Sequence, residues 1–335
     1  MSVFAAATGI GSWPGSSPRR AAEVVVGELP RLPYLPELPA RGVGADMVGR
    51  AGALLVDIAI DTVPRGYRIT ARRGSVARRA ASILDEDVDA LEEAWEKAGA
   101  ATGGATVKVQ APGPVTLASA LELGNGHRAI TDAGAVRDLT ASLAEGVAAH
   151  RAEVARRLGA PVVVQFDEPL LAAALAGRLS GVTSLSPVHP VEEMVAVELI
   201  DACVSAVGGE VMVHCCAADP PWTVLQRSTI SALSVDAALL GDRCDGIGEF
   251  LDSGRTAVLG VLSATQPPVR PTAEQVAVAA AALTDRLGFG RPVLGAQVGI
   301  SPACGLAGAD EPWARAATGL AQRAAAAIAE DPGAI

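Results

Sequence analysis

The run PVVVQF, residues 161–166, is apolar at nearly every position and carries three β-branched residues in a row. A strand with one wet face alternates apolar and polar residues, so a run like this reads as a strand covered on both faces, as in a parallel sheet flanked by helices. Similar short runs lie at residues 3–8, 34–38 (a weak one), 105–110, 210–213, 230–235, 256–262 and 293–300. Between them stand Ala-rich segments of helical period. In residues 84–98, Val88, Leu91 and Trp95 share one face and acids gather where the first turn is expected; residues 135–158 and 272–287 read the same way. Eight strands alternating with helices in about 300 residues suit a (βα)8 TIM barrel better than a doubly wound sheet, which needs fewer strands. No internal repeat or low-complexity linker divides the chain, so one domain over residues 1–335 is expected, with residues 41–81 the hardest to assign.

Composition narrows the function. The 335 residues are 50% hydrophobic and 19% charged, with a formal net charge of −10, and no window gathers Lys and Arg into a stripe. The electrostatic footprint of a nucleic-acid binder is therefore missing. The opening MSVFAAATGIGSWPG has no basic n-region and turns before an apolar segment is complete, and no apolar run approaches the roughly 20 residues of a spanning helix. Five cysteines, an odd number in a long chain, argue against a disulfide framework and for free or metal-bound thiols in a cytoplasmic protein.

In a barrel the working groups lie just past the C-terminal ends of strands. There the sequence offers Gly9 to Pro14, Gln110 to Thr116, Asp167-Glu168-Pro169, His214-Cys215-Cys216, Asp236, and Ser301 to Gly305. His214 and Cys216 are two apart, so on an extended chain both can face the mouth while Cys215 turns away; a bulge would reverse that choice. With Cys304 from the last strand they make an imidazole and two thiolates, a donor set zinc accepts, and Asp236 is an oxygen candidate for a fourth ligand. The plainer alternative is that buried cysteines are small hydrophobes and a buried histidine is satisfied by a neighbouring group. Cys203 and Cys244 read that way, and His127, His150 and His189 read as solvated. Of the adjacent carboxylates, Asp167 is assigned inward and Glu168 to local hydrogen bonds. Gly11-Ser12 allows close approach of backbone N–H groups to a ligand carboxylate, although the pair is also ordinary turn chemistry.

In this order, IGSWPG (residues 10–15), GPVTL (113–117), VQFDEPLL (164–171), HCC (214–216) and SPACGL (301–306) resemble the C-terminal catalytic barrel of cobalamin-independent methionine synthase, within a superfamily that also includes uroporphyrinogen decarboxylase. The resemblance implies a zinc-dependent methyltransferase acting on the thiol of homocysteine. It implies that His214, Cys216 and Cys304 hold the metal, with Asp236 near the place of a family glutamate ligand, and that these residues and Asp167 carry the catalysis. Ile10, Gly11, Ser12 and Asp167 would hold the amino-acid end of the substrate. The chain departs from the family pattern at three points: Arg41 falls where a glutamate is expected, Ala120 where a folate-contacting tryptophan is, and Thr265 or a neighbour where a histidine is. The N-terminal half of full-length members and a basic patch for a polyglutamate tail are both missing from this reading. The expected donor is accordingly a methylated corrinoid protein, not polyglutamyl methyltetrahydrofolate. Two alternatives stay open: a metal-free decarboxylase using Arg41, Arg50, Arg65 and Arg68 to grip carboxylates, and a zinc-binding relative without transferase activity.

Overall fold

A computed structural model describes residues 2–183 and 185–335. The chain is a mixed α/β fold built on a curled parallel sheet. Its strands are β1 (Ala59–Val63), β2 (Gly66–Thr70), β3 (Val107–Pro112), β4 (Leu121–Glu122), β5 (Val162–Asp167), β6 (Val211–Cys215), β7 (Ala232–Asp236), β8 (Thr256–Leu262) and β9 (Val298–Pro302). The large sheet has the order β3-β5-β6-β7-β8-β9, every neighbouring pair parallel. A small sheet pairs the β1–β2 hairpin with β4.

Residues 161–166 behave as their composition demands. Val162, Val164 and Phe166 enter the main hydrophobic core. Val163 points the other way, into a second cluster with Phe4, Ala6, Leu32, Met212, Ala232 and Val258. The inward positions then turn polar, with Gln165 and Asp167 on β5 and, by the same alternation, Lys108, His214 and Ser234 on neighbouring strands, all buried. An apolar floor with a polar layer above it faces the C-terminal ends of the strands.

Six of the eight expected strands form the large sheet. The other two, residues 3–8 and 34–38, are not extended ladders: Ala7 bridges Ile300 of β9, Tyr34 bridges Lys108 of β3, and Ser12 bridges Glu37. Residues 293–300 divide, because Gly290 and Pro292 start a helix, Arg291–Gln297, and the strand begins only at Val298. Pro at the first helical turn gives up an N–H that has no partner there anyway. Residues 41–81 hold the helix Met47–Leu54, the hairpin and the start of a long helix, Ser75–Lys97. That helix begins well before residue 84, so the acids expected in its first turn lie in its middle, where Asp87 is a buried partner of Arg50 and Arg41. Among the described residues no helix is long and apolar enough to cross a membrane.

Candidate metal centre

His214 is the fourth residue of β6, and its inward position is fixed by the alternation that sends Cys215 into the outer core. Cys216 follows the strand end, and Cys304 lies two residues beyond β9. One ring nitrogen of His214 and the sulfurs of Cys216 and Cys304 lie within 4.8 Å of one another. The two sulfurs are 3.8 Å apart, and both side chains are half-buried. The Cys216 thiol beside it, and then His214, hold the Cys304 thiol down to about 4, while Cys216 is pushed up as the partner that keeps the proton.

The imidazole is held from behind. Its Nδ1 is 3.1 Å from Ser234 Oγ, on the β7 residue registered directly opposite His214. The other nitrogen, Nε2, is buried without a hydrogen-bond partner among the described residues. A buried ring nitrogen left open beside two sulfurs, with its opposite nitrogen tied to a hydroxyl, is the arrangement that ligating histidines adopt. These residues fit a zinc ion.

Asp236 stands outside this group. Strand β7 runs straight into a short helix, Ala237–Leu240, and the Asp236 carboxylate caps it by accepting from Ala238 N at 3.0 Å. Helix N-terminal N–H groups need such an acceptor, so capping occupies the side chain proposed as a fourth ligand.

The polar layer beside the metal group is tightly bonded. Asp167 accepts from Gln165 Nε2 at 2.7 Å, and burial pushes its carboxyl up to about 7. The Ile10 carbonyl accepts from both Gln165 Nε2 (2.6 Å) and Lys108 Nζ (3.1 Å). Ser12 bridges Glu37 through the bonds of its neighbours, Glu37 N donating to Gly11 O at 3.0 Å and Trp13 N to Glu37 O at 2.7 Å, and Ser12 also meets the loop after β9: its carbonyl accepts from Leu306 N at 2.9 Å. Gly305 is glycine because a Cβ there would stand 2.1 Å from Ser12 Oγ.

Glu168 is fully buried and accepts from Val115 N (3.0 Å), Thr116 N (2.8 Å) and Thr116 Oγ1 (2.6 Å). It thereby fastens the end of β5 to the first turn of the helix Pro114–Ala120. Gly113 leaves it room, since a Cβ there would meet Glu168 Oε1 at 2.2 Å. The separated motifs at 113–117 and 164–171 are thus two halves of one contact.

Glu37, Lys108, Gln165 and Ser234 escaped the reading of the sequence as site residues. Their signal is a single polar residue at an inward position of an otherwise apolar run, as in VVVQF and ALSVD. Conversely, the four arginines of the decarboxylase alternative do not converge. Arg41 and Arg50 pair with Asp87, and Arg65 and Arg68 with Glu122. A basic rim does exist, however: Arg128 joins Arg65 and Glu122 around a small pocket that also touches Ala120. Its members come from distant positions, which is why no stripe shows in the sequence. His150, expected to be solvated, lines a cavity of about 640 Å³ with Leu54 and Arg73, and burial drives its pKa down to about 3.

The family model described as "Cobalamin-independent synthase, Catalytic domain" matches residues 4–327. Among solved structures the chain is similar to a B12-independent methionine synthase from Shewanella sp. W3-18-1, determined in complex with selenomethionine. The likeness has a TM-score of 0.57 at 13% identity and covers 99% of this chain and 100% of that one. A methyltransferase from Methanosarcina mazei is similar at a TM-score of 0.55 and 15% identity, over 98% of this chain and 92% of that one. No curated protein matches by sequence.

Proposed function

Since the chain belongs to the cobalamin-independent synthase catalytic-domain family and is a methyltransferase, we propose that it binds zinc through His214, Cys216 and Cys304 and methylates the thiol of homocysteine. The observation that carries this is the buried His214 Nε2, unpartnered among the described residues, beside two sulfurs 3.8 Å apart. Zinc bound there would keep an incoming thiol ionised at neutral pH, where a free thiol is mostly protonated. A donor set of one imidazole and two thiolates leaves a tetrahedral metal one open position. Asp167 and the Gly11-Ser12 turn would hold the substrate's ammonium and carboxylate, with Glu37 a second buried carboxylate close by. The Ile10 carbonyl has both lone pairs occupied by Lys108 and Gln165, so its part is to set the turn.

For the donor, a methylated corrinoid protein remains our reading, because Ala120 offers no aromatic face for a pterin in the small pocket beside it. We also read the bridges at Ala7, Tyr34 and Ser12 as the two segments that close a (βα)8 barrel, and residues 1–335 as one cytoplasmic domain. The test is elemental mass spectrometry on protein purified without chelator, beside Cys304→Ser, with homocysteine titrated into both. About one zinc per chain is expected, lost or weakened in the variant and perturbed by homocysteine; metal-free protein under zinc-replete, reducing conditions would overturn the reading. Methylcobalamin and methyltetrahydrofolate are then offered separately with homocysteine, and methionine formed only from the folate would remove the corrinoid donor.

A further inference from the structure

Lys108 has no exposed surface at all. An ammonium in that position costs several kcal/mol unless its protons are taken up. Here Nζ donates to the Ile10 carbonyl at 3.1 Å and to Gln165 Oε1 at 2.7 Å, and it lies 5.2 Å from the centre of the Tyr34 ring. Gln165, also fully buried, carries the network onward, since its Nε2 donates to the same carbonyl and to Asp167 Oδ1. The amide is thereby fixed in one orientation: its oxygen must face the ammonium, so its nitrogen must face the carboxylate.

We infer that Lys108, acting through Gln165, is the positioning residue of the acceptor pocket, holding the Ile10 turn and the Asp167 carboxylate where the α-ammonium of an amino-acid thiol is read. This rests on the homocysteine reading above. Two features argue for a role beyond filling the core. First, the contacts of Lys108 and Gln165 end on Ile10 and Asp167, the two sides of the pocket. Second, Glu37 has a buried cation of its own in Arg50, 3.8 Å away, whereas Lys108 is the buried cation that the Gln165 amide links to Asp167. Without Lys108, Glu37 would keep Arg50 beside it, but the Gln165 amide would lose the donor that fixes its orientation and Asp167 the hydrogen bond that follows from it.

Zinc-loaded wild type, Lys108→Met and Gln165→Met are compared by calorimetric titration with homocysteine and with 4-sulfanylbutanoate, its analogue lacking the amino group, and zinc content is measured on each. Both variants should keep the wild-type zinc content and bind homocysteine about ten- to a hundredfold more weakly, with a loss for the analogue, which still reports the Ile10 turn, at least about threefold smaller. Gln165→Met leaves Lys108 and its bond to the Ile10 carbonyl in place while removing the amide that joins them to Asp167, so it reads the relay even where Lys108→Met does not fold. Equal losses for both thiols, unchanged homocysteine binding, or an insoluble or zinc-poor Gln165→Met protein would overturn the inference and assign the pair to folding. Failure of the wild type itself to bind homocysteine is a different result: it removes the acceptor reading, and this inference with it.

Discussion

The hydroxyl of Ser234 settles which nitrogen of His214 meets the sulfurs, because a ring nitrogen engaged at 3.1 Å leaves the other as the open donor. Ser234→Ala should therefore weaken zinc binding by about ten- to a hundredfold, the usual cost of losing an outer hydrogen bond to a ligating histidine. Competition with a chromophoric chelator measures this, and unchanged affinity would mean that packing alone orients the ring. Asp236→Ala should behave oppositely, losing about 1 kcal/mol of stability with its helix cap while zinc stoichiometry stays at the wild-type value. Whether a residue faces the mouth was legible where it follows from strand alternation, a local rule, and so the choice of Cys216 over Cys215 could be argued from spacing. Asp236 was not legible in that way, since its direction depends on β7 passing at once into a helix. Lys108 was hidden for another reason: a lysine in a strand is read as exposed unless its acceptors, 57 and 98 positions away, are known.

Among the elements, the helix Pro114–Ala120 depends on Glu168 for its N-terminal partners, and this contact titrates. Burial pushes Glu168 up to about 7 from an ordinary 4.5, against the opposing pull of its three donors. The folded state therefore holds this proton where the unfolded chain has lost it. The stability it brings is complete below about pH 4.5 and is lost as pH rises through about 7, by on the order of 2–3 kcal/mol. Glu168→Gln sets an amide N–H against a backbone N–H and should be less stable at every pH, but it lacks the titration. Denaturant unfolding at pH 4.5 and pH 7.5 should accordingly show the gap between wild type and variant narrowing at the higher pH; a gap that widens would mean that Glu168 is ionised throughout. Elements with two buried faces were the most legible, and β8 matches its expected bounds, residues 256–262. Apolar run length could not separate the helix Arg291–Gln297 from β9, because both are rich in apolar and small residues and only Pro292 marks the difference.

Across the whole molecule, the first and last segments of the chain build the site together. Residues near the N-terminus lie against β9: Thr8 N donates to Ile300 O and Ile300 N to Ala6 O, both at 3.1 Å, and a few residues later Ser12 meets the Gly305 loop. This approach has no spare room, as a Cβ on Gly299 would stand 2.1 Å from Phe4 O and 2.8 Å from Ala6 O. Gly299→Ala must displace backbone and should cost about 1–3 kcal/mol, the range for an overfilled core. Its second effect follows from connectivity, because moving the N-terminal segment off β9 also moves Ser12 relative to the loop that carries Cys304. Zinc affinity should fall with stability even though Gly299 is no ligand. Gly27→Ala is the matched control: it adds the same methyl to the helix Pro18–Glu28 in open space and should leave zinc affinity unchanged while raising stability by about 0.5–1 kcal/mol. Denaturation and chelator competition on the same samples separate the outcomes. A Gly299→Ala protein that is less stable yet binds zinc as tightly as wild type would show that the site is held within β6 and the loop after β9. Joint loss would show that the metal centre depends on the two ends of the chain staying together, a dependence that no local stretch of sequence could have revealed.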